Sequence, residues 1–425
     1  DSTYDDKYVL SGSIRWDRSN LWGTNSKYQN KPLWSVGGSW NIYKEKFFQA
    51  DFVDMLKLRA SYGIGGNIGR NTAPYLIASY YDSSLVDGMA GSVNTPPNKD
   101  IRWEKTTTVN VGVDFALFRH RLSGTIEYYN KYSVDLLAAI NGSPTQGFGY
   151  TTLMTNNGKM VNRGVEITLS GEIIRQKDFS WNASLLYAFN RNKVKHISVQ
   201  PSLWDSRISM PTSYPMVGKP LYGIYAYKWA GLNENGDPQV YDAENNVTSG
   251  PARDYHALVY CGTTVPIHNA SLTNVLRYKG FEFSAMLILD AGHKLRSSNI
   301  PSINMSNGRI TSTAKGIVDR WTQPGDVTDV PRLLFSNDTE NFNTHRTELY
   351  RYSDLFVYDA SNIRLSNISL AYRVPAHWCK KISLSGARLQ FNVENVATFA
   401  FDSKANYDLG GKVKPNYVWG LYLNF

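Results

Sequence analysis

Apolar and polar residues alternate along most of this chain. Leu56, Leu58, Ala60, Tyr62 and Ile64 are interleaved with Lys57, Arg59, Ser61 and Gly63. Val109, Val111, Val113, Phe115 and Leu117 repeat the pattern, as do Val165, Ile167 and Leu169. So do Phe179, Trp181, Ala183, Leu185, Tyr187 and Phe189, and then Phe281, Phe283, Ala285, Leu287 and Leu289. A period of two places one set of side chains on each face of a pleated strand. Twelve long strands are expected, near 7–18, 33–43, 55–64, 102–118, 120–134, 158–173, 178–193, 267–279, 280–292, 361–374, 381–396 and 415–425. The apolar parity changes between Ile382 and Leu384 and Leu389, Phe391 and Val393, which predicts a β-bulge near Gly386.

Most of these strands reach ten residues or more, whereas strands of soluble proteins average about five or six. A strand tilted across a bilayer needs about nine to eleven. The connections add a second clue. Short ones (44–54, Arg119, 174–177, Lys279–Gly280, 375–380) alternate with long ones at 19–32, 65–101, 135–157, 194–266, 293–360 and 397–414. Antiparallel strands then carry every short turn at one end and every long loop at the other, the asymmetry of a transmembrane β-barrel. The strand-like Tyr222–Trp229 would break this parity as a wall strand and is assigned to the 194–266 loop. The fold class is all-β, an antiparallel transmembrane barrel. The final strand presents Tyr417, Trp419, Leu421, Leu423 and Phe425 on one face, and aromatic residues at strand ends suit an interfacial girdle.

Composition agrees. Tyr (28), Phe (17), Trp (11) and Gly (33) are plentiful, and only 19% of residues are charged. The net charge of +9 comes from Lys and Arg scattered singly, without the basic runs that bind nucleic acid. Phosphate-bearing lipid headgroups are the partner this excess suits. Cys261 and Cys379 form no metal-binding spacing and leave a disulfide open. No apolar run approaches the 18 or so residues of a membrane helix. The opening DSTYDDKYVL carries neither an initiator Met nor a signal peptide; the expectation is that something precedes it.

Catalytic signatures are missing. The seven histidines form no H-E-x-x-H, and there is no G-x-S-x-G. Gly63–Gly69 nearly matches a phosphate-binding loop, but Ile68 holds the third glycine position; it is better explained as a strand end. Glu127, Glu166 and Glu282 fall on polar strand faces, as a hydrated lumen wall requires. No enzyme, cofactor or metal is expected. The long loops mix aromatic planes with hydrogen-bonding groups, a combination suited to sugar rings or extended peptides. Candidate substrate-binding residues are Asn67, Tyr75, Tyr80, Tyr81, Trp204 and Trp321.

Several stretches, in order, give the chain a resemblance. They are LKLRASYGIGGN (56–67), IRWEKTTTVNVGVDF (101–115), NRGVEITLSGEII (162–174), VGKPLYGIYAYKWAGLNENGDPQVYD (217–242), RWTQPGDVTDVPRL (320–333), DLFVYDASNIRLSNISLAYRVP (354–375), LQFNVENVATF (389–399) and the terminal strand. Together they resemble the SusC-like TonB-dependent transporters of the Bacteroidetes outer membrane. The resemblance implies a 22-stranded barrel around an N-terminal plug, energy from the TonB complex and a SusD-like surface lipoprotein as a lid. It implies that Trp419, Gly420, Leu423 and Phe425 form the barrel-assembly signal. It also implies that residues 1–425 are the last twelve strands, with the plug, the TonB box and about ten strands lying elsewhere. The strand at 7–18 would then pair with a strand outside this chain. Uptake of an oligosaccharide or oligopeptide across the outer membrane is the expected function. The alternative is a non-transporting barrel that anchors a larger outer-membrane assembly.

Overall fold

The computed structural model describes residues 1–17, 25, 28, 32–69, 74–85, 88–143, 145, 152–201, 205–250, 254–306, 309–333, 344–409 and 414–425. One antiparallel sheet of thirteen strands dominates. Its strands are β1 (Ser2–Tyr4), β2 (Tyr8–Trp16), β3 (Pro32–Asn41), β4 (Val53–Asn67), β5 (Glu104–Leu117), β6 (Leu122–Asn141) and β7 (Thr152–Arg175). They continue as β8 (Phe179–His196), β9 (His268–Tyr278), β10 (Phe281–Ala291), β11 (Asn362–Arg373), β12 (Gly386–Ala400) and β13 (Asn416–Asn424). Each is hydrogen-bonded to its neighbours in this order. β2 to β13 correspond to the twelve expected strands. β1 was not expected: the chain turns through Asp5 and Asp6, both in the left-handed region at φ 49° and 51°, and lays Ser2–Tyr4 against Tyr8–Leu10. The N-terminal end of β2 therefore finds its partner within this chain. The remainder of β2 has no second neighbour among the described residues.

The register keeps the two faces apart. From β4 to β12 one row of paired residues runs Leu58, Val113, Ile126, Ile167, Tyr187, Ala270, Leu289, Ile363, Phe399. One residue away, on the other face, the row runs Arg59, Gly112, Glu127, Glu166, Ala188, Asn269, Asp290, Asn362, Ala400. A slip of one residue in any pair would mix these rows. Rings cluster along the apolar face, with Trp34 5.6 Å from Tyr62 and Phe391 4.2 Å from Trp419.

Two expectations need correction. No bulge lies at Gly386. Ile382 and Leu384 stand outside β12, in the turn after a short helix at Ala376–Lys380, so their parity has no bearing on the wall. The irregularity in this region is at Ser366, skipped in the registers of β11 with both β10 and β12. Second, β6 and β7 extend well beyond 120–134 and 158–173 and absorb most of the expected 135–157 loop. A register shift between Ser133 and Leu136, with Asp135 at φ 57°, marks a break within this long hairpin. At 24 residues, β7 is longer than a bilayer requires.

The short connections lie at one end of the sheet and the loops at the other. The two longest loops fold together into a cap. Gly223–Tyr227 pairs with Leu258–Thr263, apart from the main sheet, and Lys294–Arg296 pairs with Val357–Asp359. A small sheet at Trp229–Leu232, Pro238–Tyr241 and Val247–Thr248 completes the cap with a helix at Thr344–Arg351. Its core holds Tyr225, Tyr227, Val240, Ala257, Leu258 and Leu349, with Tyr227 and Val240 fully buried. Cys261 lies in this cap, Cys379 in the turn helix at the opposite end, and both are free thiols. No helix among the described residues is long and apolar enough to cross a membrane.

Candidate functional site

The polar face of the wall is a network of paired charges. Arg59 bridges two carboxylates, Asp114 at 2.9 Å and Glu127 at 2.7 Å. Gly112 lies between Arg59 and Glu127 in the register, and a Cβ there would meet both at 3.1 Å. The missing side chain is what leaves room for the bridge. Thr125 donates a further hydrogen bond to Asp114. On the far side of the sheet Glu282 takes Arg277 at 2.7 Å and Arg388 at 3.1 Å, and Asp290 takes Arg364 at 3.0 Å. Tyr129 lies across Gly164, where a Cβ would come within 2.4 Å of its ring. Such a surface keeps water and polar solutes while fixing its own side chains.

The cap is held by arginines. Asp237 accepts Arg332 at 3.0 Å and Arg346 at 2.9 Å. The Arg296 guanidinium donates to three main-chain carbonyls, those of Tyr225 (2.6 Å), Arg351 (3.3 Å) and Ser353 (3.3 Å). Burial lowers the Arg296 and Arg346 pKa values, although guanidinium stays charged at any physiological pH. Asp408 ties in the loop before β13, accepting the Ser297 and Ser298 hydroxyls at 2.7 Å each. Beside these groups is a cleft of about 680 Å³. Among the described residues no three His, Cys, Asp or Glu side chains come together to hold a metal.

The residues singled out in the sequence are dispersed. Asn67 ends β4 and donates its amide to Glu104 at 2.9 Å. Tyr75, Tyr80 and Tyr81 are exposed, the last two on a hairpin formed by Ile77–Ser83 and Gly88–Thr95. Trp321 belongs to the cap, where its ring covers Gly236 so closely that a Cβ there would lie 2.4 Å away. Trp204 lies outside the described residues. Trp419, Leu423 and Phe425 stand exposed on or just beyond β13, and Gly420 pairs with Gln390. The arginine cluster escaped sequence reasoning, because its members come from positions as far apart as 237 and 346. Asp237 in a tight N-G-D-P turn was the one available signal.

Comparison with known proteins gives a consistent result. A family model described as TonB dependent receptor-like, beta-barrel, matches residues 1–396. TonB-dependent receptor P3 of Formosa agariphila is 27% identical over 98% of this chain and 42% of its own length. TonB-dependent receptor SusC of Bacteroides thetaiotaomicron is 25% identical over 92% of this chain and 38% of its own. A solved structure of the RagAB peptide transporter superposes with a TM-score of 0.78, at 24% identity, over 99% of this chain and 46% of that one. The chain thus spans less than half the length of the relatives it matches. By its family match and its two-faced wall of membrane-length strands, the chain belongs to the TonB-dependent receptor β-barrels of the outer membrane.

Proposed function

We propose that this chain forms the C-terminal part of a plugged outer-membrane barrel that imports an oligosaccharide or oligopeptide, driven by the TonB complex and capped by a SusD-like surface lipoprotein. The observation that carries this reading is the wall itself: an apolar row for lipid and, one residue away, an ion-paired polar row beneath a folded cap. Most of β2 at one edge of the sheet and β13 at the other have no further neighbour among the described residues, which supports the first part. Free N–H and C=O groups are costly against hydrocarbon, and in this reading further strands of the complete barrel cover these edges. The last residues, Trp419, Gly420, Leu423 and Phe425, would serve assembly, and the loop aromatics recognition. Tyr80→Ala should weaken ligand binding several-fold; unchanged affinity would leave Tyr80 as a surface residue.

The test is uptake of labelled oligopeptides and oligosaccharides by cells that have or lack the full protein, with and without the proton-motive force. Uptake that needs both protein and energy is the expected result. Equal uptake without the protein would overturn the reading.

A further inference from the structure

The cleft in the cap combines an unusual charge with an unusual wall. Four arginines line it, Arg296, Arg332, Arg346 and Arg351, and among the described residues none of the lining is acidic. Asp237 answers two of the four. Among the described residues no carboxylate reaches Arg296 or Arg351 within ion-pair distance. Arg296 spends its donors on carbonyl oxygens, which carry no net charge. Asp408 is nearby but already accepts two serine hydroxyls and a main-chain N–H of Ser298. Among the described residues the cleft thus sets four guanidinium groups against the single carboxylate of Asp237, between low-dielectric walls where fields are focused. Its volume falls within the usual range of ligand sites.

We propose that this cleft binds acidic oligopeptides, through carboxylate groups that Arg351 and its neighbours engage. The guanidinium fork matches a carboxylate in shape as well as charge. The walls favour a peptide over an acidic sugar. Stacking of a pyranose needs a free aromatic face, and among the described residues the two tyrosines of the cleft are already packed against other groups. Tyr350 is packed between Trp229 (5.7 Å) and Phe356 (4.9 Å). Tyr352 has Arg296 at 5.6 Å and Arg351 at 5.7 Å from its ring. The rest of the lining is aliphatic or hydroxylic, including Ile317, Leu333 and Thr347, which suits peptide side chains and backbone. This assignment rests on the import reading, since it names the class of solute imported.

The experiment uses the whole transporter complex in detergent and calorimetric titration. The probes are a six-residue peptide with three glutamates and a free C-terminus, its amidated glutamine counterpart, and a six-residue oligogalacturonate. The acidic peptide is expected to bind about tenfold more tightly than the neutral one, less so at high salt. Arg351→Gln should remove about three- to tenfold of that affinity and Arg351→Glu more, with a clearly smaller loss for the neutral peptide in both. Equal affinity for the two peptides, or an acid preference unmoved by both variants, would overturn the proposal. So would tighter binding of the oligogalacturonate. Uptake by cells is read separately: uptake intact without acid preference defeats the cleft alone, while acid-selective binding without energised uptake defeats the import reading alone.

Discussion

The wall and the cap of this molecule are built by different solvents. In the cap, apolar side chains leave water as in any soluble domain: Tyr225, Tyr227, Val240, Leu349 and Phe356 are almost completely buried. In the wall, large apolar residues such as Leu10, Ile126, Leu370 and Leu421 remain substantially exposed. They need no protein core because hydrocarbon is expected to cover them. What holds the wall is the ladder of main-chain hydrogen bonds that runs from strand to strand, each of which would be costly to leave unmade in lipid. The difference teaches that apolar exposure is a defect in one half of this protein and the design rule of the other.

That contrast can be broken one region at a time. The largest effect should come from Tyr227→Ala, which removes a fully buried ring from the cap core and should cost about 3–5 kcal/mol locally. Hydrogen exchange should rise across 223–263 and 344–359, while the wall keeps its protection; loss of protection in both would show that they fold as one unit. Next is a pair of adjacent wall substitutions. Leu272→Lys on the apolar row should destabilise the wall by about 2–4 kcal/mol, and Ser271→Lys on the polar row by less than about 1. Equal costs in reversible unfolding from lipid would remove the distinction between faces. Asp237→Asn leaves two partly buried arginines without their shared carboxylate. A cost of about 2 kcal/mol is expected in the cap, below the fully buried limit because the site keeps some water.

The smallest effect is a pH dependence. Burial opposes ionisation of Asp359, but hydrogen bonds from Ser361 and the Lys294 ammonium at 3.0 Å outweigh it and hold the carboxyl down at about 2. A depressed carboxyl stabilises the fold above its ordinary range, near 4, and that contribution disappears as pH falls through 2. Amides of 294–296 and 357–359 should therefore lose protection between about pH 4 and pH 2, and Asp359→Asn should remove that dependence.

The wall was legible in sequence because its rule is local. Residues such as Val109, Val111 and Val113 declare their face without reference to any neighbour, and a barrel repeats that rule from strand to strand. Legibility failed where context replaced period. Ile382 and Leu384 look like strand residues but belong to a turn, since two alternating residues cannot distinguish the two. β1, only three residues long, is a strand because a turn folds it onto β2. The tall β6–β7 hairpin runs on past the break at Asp135 into the expected 135–157 loop, where a register shift interrupts the alternation. The candidate site was less legible still. Arg332 and Arg346 meet Asp237 only after two long loops have folded together, and nothing periodic records such a meeting. Aromatic content pointed to the loops in general, but it could not distinguish Trp321, which covers Gly236, from Tyr80, which stands exposed.

The central claim is that the two rows of the wall face two different media. Cys261 and Cys379 would be replaced by serine, single cysteines placed by Leu272→Cys and Ser271→Cys, and an environment-sensitive fluorophore attached in bilayers of the complete barrel. The label at 272 should be quenched by brominated lipid and shielded from water-soluble quenchers, and the label at 271 should not be quenched by the lipid. Lipid quenching at both positions, or at neither, would contradict the account.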